Sequence, residues 1–289
     1  MTIGKSKSKS HIRGFRQGAT NEHFIQTANG PIELLTTDEI TKMDVDVIFV
    51  LDVTSSMSPI IEKCKKLIRE FDEYLLGKII EMNGRYCRVI RAKLITFRDF
   101  YVEKNDYALY SSDFFILVEN NFSNEDGKKG LISELNKLKA VGGGDAPESA
   151  LEALSIAMKS DLTLPEIDVK NRYIIILFTD ADAHPLEKIN ECLYIPDGYP
   201  EDDVPKSLEE LMDAFEPDKK TRSGFCFGDS EGLYSPSSRR LVLFCPNNNT
   251  WKKWAEVSTA NVTYIENDNG GKEITEEKIA KEFFASIKK

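Results

Sequence analysis

Asp44-Val-Asp-Val-Ile-Phe-Val-Leu-Asp52-Val-Thr54-Ser-Ser56-Met-Ser58-Pro59-Ile-Ile-Glu-Lys-Cys-Lys-Lys-Leu67 is the stretch from which the rest of this chain can be read. The apolar run Val47 to Leu51 has the character of a strand buried on both faces. It stops on an aspartate followed by hydroxyl residues at two-residue spacing. Ser58-Pro59 then supplies an N-cap and a first-turn proline. Ile60, Ile61, Cys64, Leu67, Ile68, Phe71 and Leu75 recur at helical spacing. Strand, Asp-x-Thr-x-Ser turn and amphipathic helix together bring three oxygen side chains to one strand's carboxyl end. In open α/β sheets that end is where ligands bind.

Outward from this stretch the same alternation repeats. Arg88 to Phe97 reads as a second strand ending in Thr96-Phe-Arg-Asp99, and Tyr107 to Val118 as a less buried strand. Leu131, Ile132, Leu135 and Leu138 mark a helix. Val141-Gly142-Gly143-Gly144-Asp145-Ala-Pro147-Glu148 follows, and Pro147 is expected to open a helix with Ala150, Leu151, Leu154 and Met158 on its apolar side. Tyr173 to Phe178 is a second strongly buried strand, and it too stops on a hydroxyl and acids, Thr179-Asp180-Ala-Asp182. Arg240 to Cys245 and Asn261 to Ile265 are short strands flanking a helix that carries Trp251 and Trp254. A last helix begins at Thr275, with Glu276 and Glu277 complementing its dipole and Ile279, Phe283 and Ile287 expected inside. Strands alternating with helices predict a doubly wound α/β fold, a mainly parallel sheet covered on both faces.

The domain expectation is a core over residues 44–289, preceded by an extension over 1–43. Residues 1 to about 20 are rich in Lys, Ser, Gly and Arg and read as mobile. Phe24 to Leu35 carries Asn29-Gly30 between apolar stretches, a hairpin signal opposed by Pro31. Residues 185–238, rich in Pro, Gly and Asp with one short helix around Leu208, Leu211 and Phe215, form a long irregular insertion. Connections of that length are usually functional or mobile.

Composition narrows the function. With 41% hydrophobic and 30% charged residues the chain has an ordinary globular balance. A net charge of −10 argues against nucleic-acid binding, which needs a basic face to release counterions. No apolar run approaches the roughly 20 residues of a membrane-spanning helix. The N-terminus, basic without an apolar stretch after it, does not resemble a signal peptide. Five scattered cysteines without paired metal spacing, Cys64 and Cys245 inside core elements, read as reduced structural thiols. A cytoplasmic location is the expectation.

Three segments converge by topology: Asp52-x-Thr54-x-Ser56, Gly-Gly-Gly-Asp145 and Thr179-Asp180. Carboxylates and hydroxyls without His or Cys are hard oxygen donors suited to Mg²⁺, with Mn²⁺ or Ca²⁺ as alternatives, rather than to zinc. Each segment also has a plainer reading. Asp52 caps the following helix, Asp145 caps the Pro147 helix, and Glu148 is a first-turn dipole partner. Asp99 reads equally as a surface ion pair or as a group near the cation. His184 reads as a loop residue and the Trp251/Trp254 pair as packing against the sheet.

In this order the three segments resemble the von Willebrand factor A (vWA) domain and its metal-ion-dependent adhesion site, over roughly residues 44–289. Asp52, Thr54 and Ser56 match the family's first element and Asp180 its last. Asp145 stands where most relatives have Thr, and the Gly-Gly-Gly-Asp-Ala-Pro-Glu run resembles a subgroup that includes hemicentin-type and alpha-kinase-associated domains. The resemblance implies a metal-dependent protein-binding adaptor rather than an enzyme, with an acidic partner side chain completing the metal shell. Kinase, phosphatase or ATPase partners are implied by the family's habits alone. Two alternatives stand beside it. A metal-independent scaffold is one. The other is a Mg-dependent phosphohydrolase of haloacid-dehalogenase type, which would need an acid at position 54, where the chain has Thr54. No Ser-His-Asp order or phosphate loop is present.

Overall fold

The computed structural model describes residues 23–27, 30–34, 41–67, 85–102, 108–143, 146–192, 195–196, 199, 204–215, 227–228, 234–266 and 270–288. The chain divides into two units, Met1–Ile40 and Thr41–Lys289. In the first, β1 (His23–Thr27) and β2 (Gly30–Leu34) pair antiparallel, with Thr27 opposite Gly30 and Pro31 opposite Gln26. A hairpin therefore forms within Phe24 to Leu35, with Gly30 and Pro31 both inside β2.

The second unit is built on β3 (Thr41–Asp52), which begins earlier than the apolar run at Val47 suggested. The helix after it, α1, is described over 58–67, so Ile68, Phe71 and Leu75 lie outside the described residues. Then come β4 (Arg85–Phe97), β5 (Leu109–Ser111), β6 (Phe115–Glu119), β7 (Phe122–Ser123), α2 (Glu125–Lys137) and α3 (Ala150–Met158). The chain continues through β8 (Val169–Phe178), α4 (Leu208–Asp213), β9 (Arg239–Pro246), α5 (Asn249–Lys253), β10 (Ala260–Ile265) and α6 (Glu276–Lys288). One eight-stranded sheet runs β10-β9-β8-β3-β4-β6-β7, with β5 paired to β4. The five strands from β10 to β4 are parallel, while β5, β6 and β7 close the edge antiparallel.

Alternation along β3 sorts the two faces. Met43, Val45, Val47, Phe49 and Leu51 pack with Ile60, Ile61 and Cys64 of α1, Leu131 and Leu135 of α2, and Ile279 and Phe283 of α6. Ile48 and Val50 point the other way, toward α3, Leu211, Phe215, Trp251 and Trp254. Both tryptophans are fully buried, as their packing reading requires. Cys64, Cys87 and Cys245 are buried free thiols, and burial pushes Cys64 up to about 12.

Four local expectations need correcting. The strand read over Tyr107 to Val118 is two strands among its described residues. Ser112 interrupts it, its hydroxyl accepting from Leu94 N at 3.0 Å and donating to Asp113 O at 2.8 Å in place of a regular ladder. Ser58 is not the N-cap of α1, because a 3₁₀ turn over Ser55–Met57 leads into the helix. Pro147 does not open α3. The helix starts at Ala150, and the Ser149 hydroxyl accepts from Phe100 N at 2.9 Å instead of capping it. Glu148 therefore precedes the helix and is no first-turn dipole partner.

The connection from β8 to β9 must return to the amino edge of the sheet, since the two strands are parallel. Its described residues do so packed rather than free. Tyr199 sits edge-on to Phe100, and Phe227 and Tyr234 pack on Tyr173 near the start of β8. Tyr199, Phe215, Phe227 and Tyr234 are all buried. Burial of four aromatics offsets much of the ordering entropy of an irregular crossover.

Candidate metal centre

The sheet register brings the two acid-terminated strands side by side. Leu51 pairs with Phe178, so Asp52 and Thr179 are the next residues on adjacent strands. β3 has β4 on one side and β8 on the other, which makes the β3–β8 boundary the point where strand order reverses. A crevice opens at the carboxyl ends of strands at such a reversal.

Asp52 is completely buried. Its Oδ1 accepts from Thr54 N at 2.9 Å and from Thr54 Oγ1 at 2.6 Å, and its Oδ2 accepts from Thr179 Oγ1 at 2.8 Å. Ser56 Oγ lies 3.5 Å from Thr54 Oγ1 and donates to Asp180 Oδ1 at 3.0 Å. Asp180, also buried, accepts from Gly270 N through Oδ2 at 2.7 Å. Asp52, Thr54, Ser56 and Asp180 thus form one continuous chain of oxygens. The Thr54 hydroxyl is drawn to Asp52 and makes no cap hydrogen bond to the turn that follows. The hydroxyls of Thr54 and Ser56 are turned toward the carboxylates.

The glycine loop closes one side. Ser55 N and Ser55 Oγ both donate to Gly142 O, at 3.1 and 2.9 Å, and Val141 N donates to Val53 O at 3.0 Å. Gly143 has φ +77°, and a Cβ there would lie 2.8 Å from Thr54 Cβ and 3.2 Å from Glu148 Oε1. Only glycine satisfies both the positive φ and the close approach. At its other end the loop is stitched to the β8 side, with Glu148 N on Asp182 O at 2.8 Å and His184 N on Glu148 O at 3.0 Å. Asp145, expected as a ligand from this loop, lies outside the described residues.

Burial pushes the Asp52 carboxyl up to about 6, with the negative charge of Asp180 adding to the rise and the Thr54 and Thr179 hydrogen bonds opposing it. No lysine or arginine pairs with Asp52 among the described residues. Among those residues, no three of His, Cys, Asp and Glu gather as a metal-holding group. The donor set is therefore two carboxylates with hydroxyls, all hard oxygens, and it suits a cation that keeps much of its water. On that chemistry the residues fit Mg²⁺.

Of the two readings given for Asp99, the surface ion pair is corrected. It is buried, not a surface group, and its Oδ1 meets Tyr101 N at 2.8 Å and His184 Nε2 at 3.1 Å. His184 stacks on Tyr101 with ring centroids 3.9 Å apart. Nearby, Glu152 is wholly buried with neither carboxylate oxygen hydrogen-bonded among the described residues. Burial, assisted by Asp99, pushes its pKa up to about 8.

Sequence reasoning overlooked two contributors. Thr179 was read as part of a strand-end motif, not as the hydroxyl that holds Asp52. Gly270 was not singled out at all, although its N–H grips Asp180 and a Cβ there would fall 2.0 Å from Ser56 O. The Asn-Gly-Gly run at 269–271 signals a turn, but nothing in it indicates that the turn lands on Asp180. Trp251 is a third support, its Nε1 donating to Ala181 O at 3.1 Å just past Asp180.

No family model and no curated protein matches the sequence. Among solved structures, a von Willebrand factor type A protein from Catenulispora acidiphila aligns at 12% identity and a TM-score of 0.40, over 83% of this chain and 43% of that one. The pilus adhesin SpaC from Lactobacillus rhamnosus GG, in its open conformation, aligns at 12% identity and 0.41, over 83% and 30%. The conserved hypothetical protein BatB from Bacteroides thetaiotaomicron aligns at 13% identity and 0.33, over 83% and 98%. The chain spans less than half the length of the first two. Among the described residues no helix is long and apolar enough to cross a membrane.

Proposed function

We propose that this chain is a vWA-type, divalent-metal-dependent protein-binding module with no catalytic role of its own, working as an adaptor or scaffold inside the cell. The observation that carries the reading is the Asp52 carboxylate, buried and held by hydroxyls and an amide while no cationic side chain among the described residues neutralises it. A buried carboxylate so placed is costly unless a positive charge joins it. Mg²⁺, with Mn²⁺ or Ca²⁺ as alternatives, would be held by Asp52, Thr54, Ser56 and Asp180, with Asp145 contributed by the glycine loop. When bound, the cation would supply a Lewis-acidic position for an acidic side chain of a protein partner.

The chain's own residues do the rest. Thr179 and Thr54 orient Asp52, Gly270 orients Asp180, and Gly142 and Gly143 let the loop backbone close on Ser55 and Thr54. Asp145 in the place of the family's usual Thr adds negative charge, lowers the residual charge of the bound cation and weakens its pull on an external carboxylate. Asp145→Thr should therefore weaken Mg²⁺ affinity and strengthen capture of the acidic partner; unchanged affinity for both would sink this refinement.

The decisive experiment is a calorimetric Mg²⁺ titration of wild type and Asp52→Ala, with partner capture in Mg²⁺ and in EDTA. Mg²⁺ binding and partner capture that are both lost in Asp52→Ala support the reading. Capture indifferent to EDTA and to Asp52→Ala would make the chain a metal-free scaffold, and Mg²⁺-dependent phosphatase turnover abolished by Asp52→Ala would make it a hydrolase.

A further inference from the structure

At the amino edge of the sheet, opposite the candidate metal centre, Arg240 lies near the start of β9 and is only 7% exposed. Its neighbours at that edge are instructive. Arg88 and Arg91 each face a buried aspartate, Asp44 and Asp46. Arg240 has no carboxylate partner among the described residues. Its two hydrogen bonds both run through Nη1 to main-chain carbonyls, Ser237 O at 2.9 Å and Arg239 O at 2.6 Å, and its Nε is buried without an acceptor. Burial pulls its pKa below the usual arginine value.

A guanidinium taken out of water needs an anion or a full set of acceptors. Two neutral carbonyls on one nitrogen do not supply that. Beside it opens a cavity of about 200 Å³, lined by Arg240, Ser237, Ser258, Thr259, Asn261 and Ser286. Among the described residues no carboxylate lines this cavity, and beside Arg240 its polar side chains are hydroxyls and an amide. Glu282 of α6 is engaged by the Asn261 side-chain amide. The Ser286 hydroxyl now donates to Glu282 O at 3.0 Å and that of Thr259 to Phe215 O at 3.0 Å. Hydroxyls are rotors, so each is able to turn its proton toward an incoming oxygen.

We propose that this cavity is an oxyanion site, taking a phosphate group with the Arg240 guanidinium as counter-charge and the serine, threonine and asparagine side chains as the polar lining. Arginine is suited to the task because its planar fork matches phosphate oxygens and its charge is permanent. The size agrees. The volume lies below the roughly 300–1,000 Å³ of sites for drug-sized ligands, which suits a phosphate or a small phosphomonoester. The site draws on three elements, β9, β10 and α6, so an anion there would cross-link the final helix to the sheet.

The test is a calorimetric titration of the full chain with inorganic phosphate and, separately, with O-phosphoserine, in chloride buffer containing EDTA so that the opposite edge is metal-free. One saturable site is expected with at least one probe. Arg240→Gln should weaken it at least tenfold, while Asp52→Ala leaves it unchanged. Inorganic phosphate alone binding identifies a free-ion site; O-phosphoserine binding as well identifies a site for a phosphomonoester. Ser286→Leu, which fills the cavity and keeps Arg240, should also abolish binding and decides the matter where Arg240→Gln fails to fold by circular dichroism. No saturable heat from wild type with either probe, or an undiminished affinity in a folded Arg240→Gln or Ser286→Leu protein, overturns the proposal.

Discussion

The two ends of β3 present the same chemical problem and solve it in opposite ways. Alternation puts Asp44, Asp46 and Asp52 on one side of the strand, and all three are buried. At the amino end the answer is built into the chain. Arg91 grips Asp46 through Nε at 2.9 Å and Nη2 at 2.8 Å, and Thr163 adds two bonds, from N at 2.6 Å and from Oγ1 at 2.9 Å. Arg88 grips Asp44 in the same two-pronged fashion and extends to Glu166. At the carboxyl end, Asp52 meets only Thr54 and Thr179 among the described residues. The acids at the amino end are neutralised within the chain, whereas Asp52 is held among the described residues by two hydroxyls and an amide.

The largest effect should come from breaking the self-sufficient end. Arg91→Ala strands Asp46 in the interior and should cost roughly 3–5 kcal/mol in urea denaturation. A loss under about 1 kcal/mol would mean that the two ends are not different in kind. Next, removing the charge at the other end should have the reverse sign in EDTA. The folded Asp52 pKa of about 6 exceeds its reference of 3.8, so the group's contribution is full below pH 4 and is lost as pH rises through 6. At pH 7.5 Asp52→Asn should therefore be about 1–3 kcal/mol more stable than wild type. Destabilisation instead would place a hidden counter-charge on Asp52.

Metal should restore the balance. With Mg²⁺ at about 100 times its Kd, wild type should gain roughly 2.7 kcal/mol and Asp52→Asn nothing, as read from the shift in urea midpoint. Because protons compete for the same carboxylate, Mg²⁺ affinity should fall by up to about tenfold per pH unit below pH 6. A flat profile from pH 7 to 5 would argue that Asp52 does not touch the metal. The smallest global effect should be that of Gly143→Ala. The substitution strains a residue at φ +77° and crowds Thr54, so a loss of about 1–2 kcal/mol is expected. Its signature is a fall in Mg²⁺ affinity larger than that stability loss accounts for.

Much of this architecture was legible in the chain itself. Strands as apolar as Val47–Leu51 and Tyr173–Phe178 have few places to go except the middle of a parallel sheet, and each proved to be central. Asp52, Thr54 and Ser56 were legible because two-residue spacing after a strand keeps oxygens at its end, and all three join one hydrogen-bonded chain with Asp180. Less legible were features that depend on what a side chain meets. Ser112 reads as one more residue of a strand until its hydroxyl is seen replacing a ladder bond. Glu148 reads as the first turn of a helix until its backbone is seen bridged to Ala183.

Residue order by itself determined the alternation of strands and helices, the oxygen-only chemistry of the strand ends and the absence of an acid at position 54. These are local properties of type and spacing. Only the tertiary structure decided which buried acids are neutralised. Asp46 and Arg91 are 45 residues apart, Asp52 and Thr179 are 127, and Asp180 and Gly270 are 90. Partnerships across such distances follow from sheet register and crossover packing, which bring distant residues to one edge, so spacing along the chain cannot announce them.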